Sequence, residues 1–286
     1  MPKHSYSFDA IGTQWLIETS ADLSATTRQK IITITEAFDA VYSRFRPDSL
    51  VRVIAEQGQG EYIFPDSVVP LLDWYRKLYD ATNQKVSPLV GTTLESLGYD
   101  QTYSLTKKGN VSAPAWDDAI SLVGTTLHVS QPITLDIGAA GKGYLVDCIS
   151  DILKQDGITS YVIDASGDIY TADTDQTVGL EDPFDTTRVL GVTHINNESL
   201  CASASNRRVW GEGLHHIVDP ETAQPVSDVI ATWVIAPTTM EADGLATALF
   251  FTAPEQLQGL ADFSYAILFN DGSMNYSKDN KWEMFA

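Results

Sequence analysis

The chain has few cysteines, few basic residues and no long apolar run, and each shortage excludes a class of protein. Its two cysteines, Cys148 and Cys201, are too few for a disulfide framework and too far apart for a cysteine-based metal site. We therefore expect two buried thiols. No stretch approaches the roughly 18 apolar residues that a membrane-spanning helix needs, so the sequence predicts no membrane span.

The shortage of basic residues excludes a further class. Lysine and arginine number 18 against 38 aspartates and glutamates, which gives a net charge of −20. A nucleic-acid-binding surface needs a basic stripe, so we expect no nucleic acid as a partner. The first residues also lack a basic segment followed by an apolar one, and they lack a cysteine that could accept a lipid. We therefore expect an unexported, cytoplasmic protein.

Apolar periodicity predicts helices and strands in mixed order. The predicted helices cover 25–45, 65–81, 114–122, 142–155 and 240–251. The predicted strands cover 11–19, 161–164, 189–194, 200–202, 216–218, 230–236 and 265–269, and a short apolar run covers 133–137. Because strands and helices do not alternate strictly, we predict an α+β fold. The length allows one large core or two closely packed subdomains.

A loop of small residues precedes the predicted helix at Lys142. A strand that passes through such a loop into a helix N-terminus can present backbone N–H groups to an anion, and the Lys142 ammonium would add positive charge. The spacing of Gly138, Gly141 and Gly143 matches neither a dinucleotide fingerprint nor a Walker loop. A tight turn between packed elements is an equally good interpretation of this loop.

Asp243 and Thr247 lie four residues apart in a predicted helix and therefore share one face. A carboxylate and a hydroxyl suit a hard cation that prefers oxygen ligands, Mg²⁺ before Zn²⁺. The alternative is purely structural: Asp243 would lie near the helix N-terminus, and Thr247 would bond a carbonyl one turn back.

His216 lies three residues before Asp219, at a predicted junction between a strand and a turn. An imidazole near a carboxylate is a reasonable general base. Adjacent residues of a strand point to opposite faces, so only one of His215 and His216 can belong to a site. A structural histidine is the alternative.

Six segments follow one another along the chain: Ile11-Gly12-Thr13, Tyr42 to Ser49, Asp136-Ile137-Gly138 with Lys142-Gly143-Tyr144 and Asp147, Ser166-Gly167-Asp168-Ile169, His216 to Thr222, and Ala242 to Leu249. In this order they resemble the FAD:protein FMN transferase family, the ApbE-type flavin transferases. The resemblance implies a single flavin transferase domain over residues 1–286. Its fold would combine helices and mainly antiparallel sheets in two closely packed subdomains, with the site between them.

The resemblance also implies an activity. The FMN moiety of FAD would be transferred to a threonine or serine hydroxyl of an acceptor protein with the help of Mg²⁺, and AMP would be released. The metal ligands would be the Asp243 carboxylate, the Thr247 hydroxyl and the backbone carbonyl of Gly141. His216 is the candidate base for the hydroxyl proton.

The remaining predicted residues would contact FAD. Lys142 and the loop amides would steady the pyrophosphate, Phe45 would stack on a ring, and Asp168 would make a polar contact. Segments 87–89 and 202–206 depart from the family pattern, and these departures affect the details of FAD binding. Two alternatives are an FAD pyrophosphatase, which would give FMN and AMP, and a flavin-binding relative without turnover.

Overall fold

The computed structural model describes residues 4–285, and the helices and strands of this part follow in chain order. The helices are α1 (Ala25–Tyr42), α2 (Leu50–Gln57), α3 (Val68–Ala81), α4 (Gly91–Ser96), α5 (Trp116–Ala119), α6 (Gly141–Gln155), α7 (Thr239–Ala248) and α8 (Pro254–Leu257), with a 3₁₀ turn at Pro88–Val90. The first nine strands are β1 (His4–Ala10), β2 (Thr13–Thr19), β3 (Gly60–Ile63), β4 (Ile120–Val123), β5 (Thr126–Val129), β6 (Tyr161–Asp164), β7 (Asp168–Ala172), β8 (Gln176–Asp182) and β9 (Asp185–Ile195). The others are β10 (Ser199–Ala204), β11 (Val209–Trp210), β12 (Leu214–His215), β13 (Val218–Asp219), β14 (Gln224–Pro225), β15 (Val229–Ala236), β16 (Ser264–Phe269), β17 (Met274–Tyr276) and β18 (Trp282–Met284).

An antiparallel sheet of eight strands organises the fold, in the order β1-β2-β6-β7-β10-β15-β16-β17. Helix α7 packs on β10 and β15, α6 packs on β7 and α7, and α1 packs on α6. The main apolar core lies among these helices and the sheet. A second apolar cluster joins the sheet to a smaller one with the order β18-β9-β8, through residues that include Leu180, Leu200 and Trp233. The central strands are therefore covered on both faces.

The predicted α+β class is confirmed, and most predicted elements agree with the structure to within a few residues. The start predicted for the first helix is also correct, because the Ser24 side chain accepts a hydrogen bond from the Thr27 N–H at the beginning of α1. The predicted division into two subdomains within one domain stays a prediction. Among residues 4–285, no helix has both the length and the apolarity to cross a membrane.

Three predicted elements were wrong. Of the helix predicted at 114–122, only α5 forms, and Ile120–Val123 is a strand that pairs with β5. The apolar run 133–137 belongs to no strand; within it the Asp136 N–H donates to the carbonyl of Pro88. The strand predicted at 216–218 also differs, since β12 ends before His216 and β13 begins at Val218. In the first and third cases short hairpins between strands that are close in sequence replaced the predicted element.

Candidate active site

A cavity of about 620 Å³ opens where the sheet, α6 and α7 meet. Five predicted site residues border it: Lys142, Asp168, His216, Asp243 and Thr247. The other two, Gly141 and Phe45, are not in its lining. The fold thus brings together residues that are separated by more than a third of the chain.

Asp147 fixes the start of α7 against α6. Its two carboxylate oxygens accept hydrogen bonds from the N–H groups of Thr239 and Met240, each at 2.9 Å. Gly143 lets the two helices touch, because a Cβ at that position would overlap the Thr239 carbonyl oxygen. The Gly143 N–H also donates to Asp243 Oδ2 at 3.0 Å. Helix α6 therefore determines where α7 presents its side chains.

Asp243 and Thr247 present oxygen atoms to the cavity from one face of α7. Asp243 is only 4% exposed, and its Oδ1 makes no hydrogen bond within the described chain. Thr247 is half-buried, and its hydroxyl also has no hydrogen-bond partner among residues 4–285. The structural alternative, a bond from Thr247 to a carbonyl one turn back, is therefore absent from this part of the chain.

Lys142 faces two buried carboxylates. Its Nζ donates to the Ala165 carbonyl at 3.0 Å and lies 3.1 Å from Asp168 Oδ2. That second approach is not aligned as a hydrogen bond, so the buried Asp168 Oδ2 has a neighbouring charge but no donor within residues 4–285. Burial raises the pKa of both Asp168 and Asp243, and for Asp243 the nearby Asp168 carboxylate raises it further. An added cation would stabilise this arrangement.

Asp136 braces the loop that leads into α6. Its Oδ2 accepts from Arg44 Nε at 2.5 Å, and its Oδ1 accepts from the Gly138 N–H at 2.7 Å. The buried Arg44 also donates to the Tyr99 carbonyl at 2.6 Å. Burial opposes the ionisation of Asp136, yet the Arg44 guanidinium and the Gly138 amide outweigh it and lower the pKa of this carboxyl.

The other loop amides also have partners inside the protein. The Ala139 N–H donates to the Tyr75 hydroxyl at 3.0 Å, and the Gly141 N–H donates to the Ile137 carbonyl at 2.8 Å. Gly141 itself is buried in the first turn of α6. Gly138 and Ala139 border the cavity, but their amides are already hydrogen-bonded within the protein. The Lys142 ammonium is the charged group among the predicted phosphate contacts, and it also borders the cavity.

Of the two adjacent histidines, His216 borders the cavity and His215 does not. His215 Nε2 lies 2.9 Å from the Val226 carbonyl, and its Nδ1 accepts the Ile217 N–H at 3.3 Å. The buried Nδ1 of His216 has no partner in the described chain. Burial, assisted by the positive charge of Arg208, lowers the pKa of His216 to about 3. Its imidazole is therefore neutral at pH 7 in the ligand-free protein.

Phe45 lies behind the cavity wall, and its ring is already covered. Tyr103 stacks on it at 4.7 Å with the two planes 6° apart, and the Arg44 guanidinium lies 4.1 Å from its centroid. Tyr99 packs edge-on against Phe45 at 5.4 Å and itself borders the cavity. Stacking of FAD on Phe45 stays a prediction, and it requires Tyr103 to move.

Several residues that shape the site were not predicted from the sequence. Arg208, Tyr99 and Trp233 border the cavity, but no local pattern marks them. Asp147 belongs to a segment that resembles the family, and this was its only signal. Its capping role depends on the N-terminus of a helix about 90 residues away, which no local pattern reveals.

The donor set decides which metal these residues could hold. Among residues 4–285, no group of three or more His, Cys, Asp or Glu side chains is arranged to hold a metal ion. A closed zinc-type site is thus absent from the described chain. Two oxygen donors beside a cavity fit Mg²⁺, which is commonly held by one or two protein oxygens together with substrate phosphates and water.

The cavity thus brings together an ammonium, two oxygen donors that fit a hard cation, and a neutral histidine. The sequence profile of the ApbE family matches residues 11–269. The chain belongs to the ApbE family. The predicted family and fold are therefore confirmed.

Two curated relatives are named FAD:protein FMN transferase, which agrees with the predicted enzyme class. The protein from Klebsiella pneumoniae is 30% identical over 134 residues, which are 43% of this chain and 38% of that protein. The protein from Escherichia coli K12 is 24% identical over 259 residues, which are 82% of this chain and 74% of that protein. The match to the Klebsiella protein thus spans well under half of its length.

A solved structure of the ApbE protein from Thermotoga maritima superposes with a TM-score of 0.84 at 19% identity. The match covers 96% of this chain and 97% of that one. At this identity the likeness establishes the fold alone.

Proposed function

We propose that this protein is an FAD:protein FMN transferase, which moves the FMN moiety of FAD onto a threonine or serine hydroxyl of an acceptor protein and releases AMP. The observation that carries the proposal is the joint presence of Lys142, His216, Asp243 and Thr247 around one cavity. The names of the relatives indicate FAD and an acceptor protein as the substrates. The chemistry of these four side chains fits the proposed reaction.

The FAD pyrophosphate binds beside Lys142 in this proposal. The Lys142 pKa is raised, because the Asp168 and Asp243 carboxylates outweigh the effect of burial, so the side chain stays an ammonium ion at neutral pH. Asp168 holds this ammonium in place from behind. A fixed positive charge in a half-buried cavity attracts the pyrophosphate and orients it for attack.

Asp243 and Thr247 would hold the metal ion. The predicted third ligand, the Gly141 carbonyl, belongs to a residue outside the cavity lining, so the proposal depends on the two side-chain oxygens. When bound there, Mg²⁺ would neutralise negative charge on the pyrophosphate during phosphoryl transfer. The Gly143 N–H keeps one oxygen of Asp243 occupied and leaves the other free.

His216 accepts the proton of the acceptor hydroxyl as this hydroxyl attacks the FMN-side phosphorus. Its low pKa keeps it unprotonated in the ligand-free protein. The negative charge of a bound pyrophosphate would raise the pKa of His216, which would make the imidazole a stronger base once FAD is present.

Product stoichiometry tests the proposal against its alternatives. The protein is incubated with FAD, Mg²⁺ and a bacterial protein extract, and AMP and free FMN are measured by chromatography. A transferase releases AMP without an equal amount of free FMN, and the missing FMN appears as flavin fluorescence on a denatured protein band. Equal amounts of AMP and FMN would indicate a pyrophosphatase, and neither product would indicate a flavin-binding protein without turnover.

A further inference from the structure

The proposed reaction places a strict demand on the acceptor. A threonine or serine hydroxyl is only two bonds from its own Cα, so the acceptor backbone has to enter the cavity for the hydroxyl to reach the phosphorus. Backbone N–H and C=O groups that leave water need hydrogen-bond partners. The cavity wall must therefore offer backbone or side-chain groups that can pair with an incoming peptide.

Strand β8 offers an unpaired edge at this cavity. It is the outer strand of the sheet β18-β9-β8 and pairs only with β9 within the described chain. Val178, Gly179 and Glu181 border the cavity, whereas no residue of β9 does. Gly179 has no side chain and therefore borders the cavity with its main chain. The cavity thus reaches the backbone of β8, whose side away from β9 has no strand partner within the described chain.

The opposite wall is built from small side chains. Ala202, Ser203 and Ala204, the last three residues of β10, all border the cavity. The ladder between β10 and β7 ends at Cys201, and the Ala202 N–H still donates to the Gly167 carbonyl, so only Ser203 and Ala204 have a strand neighbour on the β15 side alone. Small residues on this wall leave room for a peptide backbone beside β8.

Contacts at the rim hold the two walls together. Asn206 Nδ2 donates to the Pro183 carbonyl at 2.8 Å, and Arg207 lies 2.9 Å from the Glu181 carboxylate. These two contacts join the C-terminal end of β8 to the segment that follows β10. A register shift between Leu180 and Glu181 also bends this end of β8, a feature that is frequent at sheet edges beside active sites.

We propose that the acceptor protein enters as an extended segment that pairs with the free edge of β8, opposite Ala202–Ala204, with its threonine or serine pointing toward Lys142. This inference rests on the proposed function. Main-chain hydrogen bonds to a strand edge supply affinity with little dependence on sequence, and the side-chain pockets that alternate along the segment supply specificity.

A backbone scan of an acceptor peptide tests the pairing. A short peptide with one central threonine is first selected from a random pool by its gain of one FMN. Each of its amides is then N-methylated in turn. Pairing with one strand edge predicts that methylation at alternate positions raises the KM for the peptide roughly tenfold, because every second N–H points to β8. An effect without this alternation overturns the proposal.

Hydrogen exchange supplies a second readout that does not depend on turnover. Binding of the peptide should slow exchange of amides in 176–182, and the edge strand β17, which does not border the cavity, serves as the matched control. Equal protection of 176–182 by FAD alone would mean that the edge binds FAD and would overturn the proposal.

The selection step separates failure of this proposal from failure of the proposed function. If intact proteins of an extract gain FMN but no peptide does, recognition of an extended segment is wrong and the transferase stands. If neither gains FMN, the transferase proposal itself fails, and the docking proposal fails with it.

Discussion

At the scale of single residues, the site is defined by an imbalance of buried charge. Lys142 faces both Asp168 and Asp243, and burial raises the pKa of both carboxyls. Such an arrangement lowers the stability of the protein until a cation is added, because ionised carboxylates that leave water need compensation. Residues whose charges are stabilised only by a ligand are frequent at functional sites.

Replacing Asp243 with asparagine tests this imbalance. Asp243→Asn keeps an oxygen that can accept the Gly143 N–H but removes a buried negative charge. We expect loss of Mg²⁺-dependent AMP release together with a Tm, measured at pH 8 in EDTA, that is higher by about 2–4 °C, the shift that 1 kcal/mol gives in a chain of this size. Near wild-type AMP release would contradict the assignment of Asp243 as a metal ligand.

Removing the imidazole of His216 should separate binding from turnover. In His216→Ala the FAD dissociation constant, measured by flavin fluorescence, should stay within about threefold, whereas transfer at saturating FAD should slow by roughly 10²- to 10⁴-fold. His215→Ala is not a suitable control, because His215 is hydrogen-bonded to the backbone. Lost FAD binding with normal turnover at saturation would reassign His216 to recognition.

The low pKa of His216 also predicts a pH dependence of stability. The folded-state pKa of about 3 lies below the ordinary value of 6.5, so the unfolded chain takes up this proton first as the pH falls. The stability that the protein gains from the unprotonated His216 is fully present above pH ~6.5 and is lost as the pH falls from ~6.5 to ~3. Urea unfolding at pH 7 and pH 5 should show a smaller loss for His216→Gln than for wild type. Equal losses would contradict the predicted shift.

At the scale of secondary-structure elements, the contact between α6 and α7 positions the site. Helix α6 supplies Lys142, the Gly143 amide that bonds Asp243, and the Asp147 carboxylate that bonds the start of α7. The three residues lie within two turns of one helix. The spacing of these three residues therefore determines how α6 and α7 are aligned and also places Lys142 in the site.

Removing the Asp147 carboxylate should loosen α7. Asp147→Ala leaves the Thr239 and Met240 amides without their acceptor, and we expect the free energy of unfolding to fall by about 1–3 kcal/mol. The Mg²⁺ concentration for half-maximal activity should rise by about tenfold, since α7 carries both proposed ligands. The control is Asp151→Ala: that side chain is 67% exposed, and the change should alter stability by less than about 0.5 kcal/mol. Equal behaviour of the two variants would contradict the role of the cap.

Elements with strong apolar periodicity were predictable from the sequence, and short or weakly patterned strands that are held by a hairpin partner were not. Helices α1 and α6 and strands β15 and β16 follow their apolar patterns closely. Strand β1 was missed, because its pattern is weak and pairing with β2 stabilises it. The segment 120–123 was assigned to a helix, although its partner β5 holds it as a strand.

In the site, the motif residues were predictable from the sequence, and their contacts with distant residues were not. Lys142, His216, Asp243 and Thr247 could be named from motif segments, and the fold brings them to one cavity. The sequence could not reveal that the loop amides are already hydrogen-bonded or that Tyr103 covers Phe45. Both contacts involve residues from other parts of the chain, so local sequence patterns could not predict them.

At the scale of the whole molecule, a sheet with both faces covered supports a cavity at one end of its central strands. Helices α6 and α7 supply Lys142, Asp243 and Thr247, and β8 of the smaller sheet borders the same cavity. Asp168 comes from β7, and His216 comes from the segment between β12 and β13. The proposed acceptor segment would enter on the β8 side.

The most direct test of the central claim is the intact mass of an acceptor peptide after incubation with this protein, FAD and Mg²⁺. A parallel sample contains EDTA, and another contains Asp243→Asn. The account predicts a gain of one FMN per peptide in the first sample only, with an equal amount of AMP released. A gain that persists in EDTA or with Asp243→Asn would contradict the proposed metal site, and AMP release without any gain in mass would contradict the transferase.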